Sequence, residues 1–250
     1  MLRALTCVVV VLFLLAGCAQ MPGGASDSDR LRNAIALDDV GFVQEAVRSG
    51  RLGVNQRIPT PGFPEGAPLI MVAARYASIQ TLRYLISAGA NLNAQAVTGE
   101  TALMIASYFN ADDPGPSAAY SEQHEQAVRV LVEAGASLEN EPHNYTPLAY
   151  AAYQGNARIV RFLLERGARV DGDAENGLSY VNTPLMMAAI QGNLDAALWL
   201  LRAGANARTR VHLGYTATEL AQKYKHWNLV DALKCAERLP PGEKFTRRCR

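Results

Sequence analysis

The sequence predicts an all-α solenoid, a linear stack of about six helix-turn-helix units instead of one globular core. Three observations carry this. Thr101-Ala-Leu-Met, Thr146-Pro-Leu-Ala, Thr183-Pro-Leu-Met and Thr216-Ala-Thr-Glu each open a segment of related pattern. In the two fullest copies, Ala151-Ala152 and Ala188-Ala189 lead to Gly155-Asn156 and Gly192-Asn193, and an apolar stretch then closes at Gly167-Ala168 and Gly204-Ala205. The copies recur at about 33 residues, a length at which each repeat must stack on its neighbours to bury its apolar face.

Each position has a physical role. Thr caps a first helix by accepting a backbone N–H, and a Pro in the first helical turn forfeits no hydrogen bond. The Leu is buried, and the paired alanines let adjacent units approach closely. Gly155 and Gly192 end the first helix where a left-handed residue is needed, as Gly167 and Gly204 end the second. Ile159, Val160, Phe162, Leu163 and Leu164 form the buried stripe of a second helix. The six units start near Asp29, Pro68, Thr101, Thr146, Thr183 and Thr216. The first unit lacks the Thr-Pro-Leu opening and has Asp38 in place of the turn glycine, while the last lacks the closing Gly-Ala. End units face water on one side, so these departures read as caps.

The ends divide the chain further. Residues 1–17 read as a signal segment: Arg3, an apolar run from Val8 to Leu15, then Ala16 and Gly17, too short to span a bilayer. Leu15-Ala16-Gly17-Cys18 looks like a lipobox, which makes Cys18 the lipidated first residue of the mature chain, and two or more acyl chains anchor stably. Residues 18–28 read as the lipidated Cys and a flexible tether, 29–238 as the repeat array and 239–250 as a tail. Losing Arg3 with the leader takes the net charge of +1 to zero. The basic residues are scattered apart from Arg247, Arg248 and Arg250, so there is no footprint for nucleic acid. Of the remaining cysteines, Cys235 and Cys249 form an even pair that an oxidising compartment would bridge, across a turn at Pro240-Pro241-Gly242; two separate thiols are the alternative.

Taken together, the repeats and the leader resemble bacterial ankyrin-repeat lipoproteins, over nearly everything after the leader. The resemblance implies a protein-binding module, with Ala19 after the lipidated Cys pointing to the outer membrane and a periplasmic orientation. It also implies that the residues after the alanine pair and the residue before the opening Thr face a concave groove that contacts partners. Here those positions hold Arg75-Tyr76, Tyr108-Phe109, Tyr153-Gln154, Ile190-Gln191 and Lys223-Tyr224 after the alanines, and Tyr145, Asn182 and Tyr215 before the Thr, with six of the ten tyrosines among them. Tyr is a favoured anchor at interfaces. These rings either line the groove or pack between successive first helices. Met71, Met104 and Met186 stand where the family typically has His, and read as flexible fillers of the seam between units.

Three insertions break the period. Asn55 to Gly66 lengthens the first finger, Gly172 to Asn182 the fourth, and Phe109 to Glu122 separates the helices of the third unit. Phe63, between Pro61 and Pro64, is a candidate for a projecting anchor that closes over one end; folding back onto the first unit is the other arrangement open to it.

Chemistry is sparse. His124, His143, His212 and His226 sit in different units with no second ligand at metal spacing. No phosphate loop, nucleophile elbow or Cys-His pattern is present, so no catalytic, cofactor or metal residue is assigned and no small-molecule substrate is expected. The sequence therefore reads as a non-enzymatic envelope protein that holds another protein, either as an immunity protein against a secreted toxic enzyme or as a scaffold for a resident periplasmic protein.

Overall fold

The computed structural model describes residues 26–108, 118–139, 145–172, 181–210, 214–240, 243–246 and 249. The leader, Cys18, Phe109, His143, His212, the three terminal arginines and most of the fourth finger lie outside these residues.

Twelve helices among the described residues run as six pairs: α1 (Asp27–Ala36) with α2 (Val40–Arg48), α3 (Leu69–Arg75) with α4 (Ile79–Ser87), α5 (Ala102–Ser107) with α6 (Ala118–Glu133), α7 (Pro147–Gln154) with α8 (Ala157–Glu165), α9 (Pro184–Gln191) with α10 (Leu194–Arg202), and α11 (Ala217–Lys223) with α12 (Trp227–Arg238). First helices pack in one row, α1 through α11, and second helices in another, α2 through α12. This is the expected all-α ankyrin solenoid, and both end units are full helical pairs.

The helix starts follow the sequence logic. Thr101, Thr146, Thr183 and Thr216 each accept a backbone N–H three residues on, at 3.2–3.4 Å. Pro147 and Pro184 occupy the first helical position. Thr216 shares a capping box with Glu219, whose carboxylate also receives both terminal nitrogens of Arg210 at 2.8 and 2.9 Å. Those bonds hold the Glu219 carboxyl below its usual range. Met71, Met104 and Met186 are all buried, filling the seam between units.

Two ladders tie each unit to the next. At the helix turns, Ser78 Oγ donates to Ile35 O at 2.5 Å, Asn193 Nδ2 to Ala152 O and Tyr153 O at 3.0 and 2.6 Å, and His226 Nε2 to Ile190 O at 2.9 Å. These side chains satisfy carbonyls that a helix end leaves without intrahelical partners. Along the fingers, Asn55, Asn93, Glu139 and Asp171 each accept a backbone N–H from the following unit, from Asn91, Ser137, Arg169 and Asn206. The apolar core is correspondingly continuous, from Leu31 to Leu233, with Phe245 and Cys249 joined to it.

One open alternative is decided and one expectation changes. The first finger does not stand free: β1 (Arg57–Thr60) and β2 (Phe63–Pro68) pair antiparallel, Arg57 opposite Pro68, with an irregularity between Ile58 and Thr60. The hairpin lies against α1 and α3, burying Ile58 and Ala67. The third-unit insertion is shorter than read, because α6 begins at Ala118 and absorbs its last residues into helix. At the C-terminus, the sulfurs of Cys235 and Cys249 are bonded at 1.99 Å. The tail therefore returns to α12, with Phe245 buried against the core.

Candidate protein-binding groove

The residues expected to line a groove lie at the two ends of the first helices, where the turn from first to second helix fixes where the side chains after the alanine pair can stand. Tyr108 caps the C-terminus of α5, Tyr145 precedes the N-cap Thr146 of α7, and Tyr153 lies in the last turn of α7. Stacking α5 on α7 brings the three together, and a fourth ring joins them. Tyr150, one turn before Tyr153, sits 5.3 Å from Tyr108 and 6.0 Å from Tyr145 between ring centres, at interplanar angles of 77° and 73°. Tyr108 and Tyr153 stack at 6.2 Å and 29°. All four are half-buried. Perpendicular and offset arrangements are the favoured ring geometries, each worth about 0.5–1.5 kcal/mol beyond area burial.

Tyr150 is the site residue that sequence reading missed, although a signal exists. Four residues after the helix-opening position, the other units from the second onward place Val72, Ile105, Met187 and Leu220, all buried aliphatic side chains. Only the fourth unit puts a ring there, and it is half-buried where the others are buried. Burial pushes the Tyr150 hydroxyl up to about 12, with the Glu100 carboxylate and the hydroxyls of Tyr108 and Tyr145 adding to the shift. Glu100 holds in the third unit the register that Tyr145 holds in the fourth, immediately before the opening Thr. Its carboxylate accepts a hydrogen bond from the Thr98 hydroxyl.

The other expected groove residues stand apart from this cluster. Tyr215 and Tyr224 are 37% and 47% exposed and lie near the C-terminal end, where the Lys223 ammonium sits 4.8 and 5.7 Å from their ring centres. Tyr76 is half-buried against the apolar core and makes no ring contact with the other tyrosines among the described residues. Phe63 does not project. It opens β2 and packs against the core, because the hairpin that carries it is anchored by Ile58 and Ala67. Phe109 and Cys18 lie outside the described residues.

On the opposite, second-helix side two aromatics lie under arginines. Phe162 lies between Arg129 and Arg166, at 4.4 and 4.5 Å from guanidinium carbon to ring centre, and Trp199 between Arg161 and Arg202, at 5.2 and 5.4 Å. His124 is buried with Nδ1 donating to Ala106 O at 3.1 Å, and His226 serves the turn ladder. No group of three or more His, Cys, Asp or Glu that could hold a metal ion stands together among the described residues.

Three family models, all described as ankyrin repeats, match residues 70–112, 117–174 and 163–221. The chain is 26% identical over 147 residues to the phosphocholine transferase AnkX of Legionella pneumophila, covering 58% of this chain and 14% of that protein. It is 37% identical over 105 residues to ankyrin repeat and SOCS box protein 16 of Mus musculus, covering 42% of this chain and 22% of that protein. This chain thus spans less than a quarter of either relative, and the match to the transferase lies in its ankyrin region. The chain carries ankyrin repeats, which are protein-interaction modules.

Proposed function

We propose that this ankyrin-repeat solenoid is a non-enzymatic, lipid-anchored protein of the bacterial envelope that captures a partner protein on its first-helix face. The observation that carries the reading is the cluster of Tyr108, Tyr145, Tyr150 and Tyr153, four half-buried rings gathered at the middle of that face. Such rings offer large contact area at low rotamer cost, and central aromatic anchors dominate binding energy. The anchor rests on the leader pattern through Cys18, and the periplasm-facing outer-membrane placement on Ala19. The transferase activity in the name of the Legionella relative belongs to a protein of which this chain matches 14%, and is not carried over.

Two uses of capture are proposed: neutralising a secreted toxic enzyme, as an immunity protein, or holding a resident periplasmic protein, as a scaffold. Crosslinking pull-down from envelope extract, with the wild type and Tyr150→Ala/Tyr153→Ala side by side, tests the groove. Each truncation should cost about 2 kcal/mol or more of partner affinity; unchanged capture by a helical, folded double variant sinks the assignment. A deletion strain separates the uses. An immunity protein leaves it sensitive to a neighbouring effector, whereas a scaffold leaves a resident complex unassembled.

A further inference from the structure

We infer that the tyrosine cluster, together with Glu100, receives a positively charged side chain of the partner, an arginine or a lysine. The inference rests on the groove reading above and specifies what the groove takes.

The ring geometry favours a cation. Tyr150 stands nearly perpendicular to both Tyr108 and Tyr145. A flat apolar insert can stack on one ring of such a set, whereas a compact cation is attracted to the faces of several at once. Charge points the same way. Glu100 shares the register of Tyr145 one unit earlier, its carboxylate is held by Thr98, and its field acts on the Tyr150 hydroxyl. A carboxylate on the face that carries the rings attracts a cation and repels an anion. Arg75, which precedes Tyr108 in the same column, sends its guanidinium to the hairpin turn, 3.8 Å from where a Cβ on Gly62 would stand.

The molecule already uses this chemistry within itself. Further along the same face, the Lys223 ammonium lies over Tyr215 and Tyr224. On the other face, arginines lie over Phe162 and Trp199. Lys223 occupies the column position that Tyr108 and Tyr153 occupy in their own units. The third and fourth units thus place a ring at the position where the last unit places the cation.

The test is a titration of the purified chain, carrying ring-labelled tyrosine, followed by NMR. The probes are acetyl-Gly-Arg-Gly-amide and its uncharged citrulline counterpart. The arginine peptide should shift the ring signals of Tyr145, Tyr150 and Tyr153 saturably and bind at least roughly tenfold more tightly than the citrulline peptide, with Glu100→Gln weakening it by roughly fivefold. Equal binding of the two peptides, indifference to Glu100→Gln, or the absence of any saturable shift overturns the inference. None of these results touches the groove reading, which stands or falls on whether the Tyr150→Ala/Tyr153→Ala variant loses the crosslinked partner.

Discussion

The turn between the two helices of a unit is made differently at the middle of the array and at its ends. In the fourth and fifth units the left-handed residue is glycine, Gly155 at φ 75° and Gly192 at φ 76°. In the first, second and sixth units the same conformation is held by Asp38 at φ 53°, Ala77 at φ 50° and Lys225 at φ 63°. Positive φ alone therefore does not demand glycine here. What demands it is the next unit. A Cβ on Gly155 would stand 2.6 Å from Asn193 Oδ1, and one on Gly192 would stand 2.5 Å from His226 Nδ1. These are the side chains that reach back to satisfy the end of the preceding first helix. After Asp38 the corresponding residue is the small Ser78, which leaves room for a side chain. Asp38 uses that room to accept the backbone N–H groups of Gln80 and Thr81, both at 2.9 Å, and so caps α4 from the neighbouring unit. Lys225 belongs to the last helical pair among the described residues. Crowding between units, and not the turn itself, sets the composition of the turn.

Gly192→Ala should break this arrangement most severely. Alanine carries a penalty of about 1–2 kcal/mol for the left-handed conformation. Its Cβ must also push His226 off Ile190 O, leaving a partly buried helix-end carbonyl without its donor at a further cost of about 1–3 kcal/mol. Urea titration should therefore show about 2–5 kcal/mol of destabilisation. A loss near 1 kcal/mol, the cost of φ alone, would show that the crowding is relieved at no cost and would remove the distinction between middle and end.

The C-terminal end should depend on its crosslink instead. Cys249→Ser opens a loop whose ends are 14 residues apart, and the chain-entropy account puts such a closure at about 3 kcal/mol. Stability in a stacked array is a sum of unit and interface terms, so the loss should be local. Hydrogen exchange should quicken in α11 and α12 and leave α7 and α9 protected. Uniform loss of protection along the array would count against a local staple.

The groove supplies a pH-dependent contrast. Tyr150 ionises at about 12 in the folded chain against about 10 in an unfolded one. A raised pKa means that the neutral hydroxyl is the form the fold favours. The stability it contributes is complete below pH ~10 and is lost as pH rises through about 12, at most about 2 kcal/mol once partial exposure is discounted. Tyrosinate absorbance should show a late ionisation step near pH 12, and Tyr150→Phe should abolish it. Persistence of the late step in the variant would place the perturbed hydroxyl elsewhere.

How much of this was legible in the sequence differs by layer. The stack was, because Thr at the N-cap, Pro at the first position, Leu, paired Ala and Gly each answer to a local requirement that neighbouring residues state. Most of the aromatic cluster was legible for the same reason, since register along the repeat placed Tyr108, Tyr145 and Tyr153 on one face. Tyr150 was not, because its position is an ordinary buried one in the other units and only size keeps a ring there from being fully covered. Phe63 stayed open between projecting and folding back because two prolines and a glycine around it suggest a free loop, whereas the burial of Ile58 and Ala67 on opposite strands anchors the segment as a hairpin. That pairing lies between residues nine apart and leaves no mark on either strand alone.

Lys225→Gly is the smallest change and the one that separates the two explanations of the turn most cleanly. At φ 63° a lysine bears the left-handed penalty, which glycine would relieve, while glycine gives back part of that gain through its larger entropy when unfolded. Lys225 is exposed, and no further helical pair among the described residues packs against the turn, so no contact is lost or gained. The balance should be a stabilisation of about 0.5–1 kcal/mol by thermal or urea unfolding. If turn composition were set by φ alone, the reverse substitution at Gly192 would cost no more than Lys225→Gly gains. Because the His226 side chain stands where the new Cβ must go, the two magnitudes should differ by at least about 1 kcal/mol. Equal and opposite values would return the explanation to the backbone.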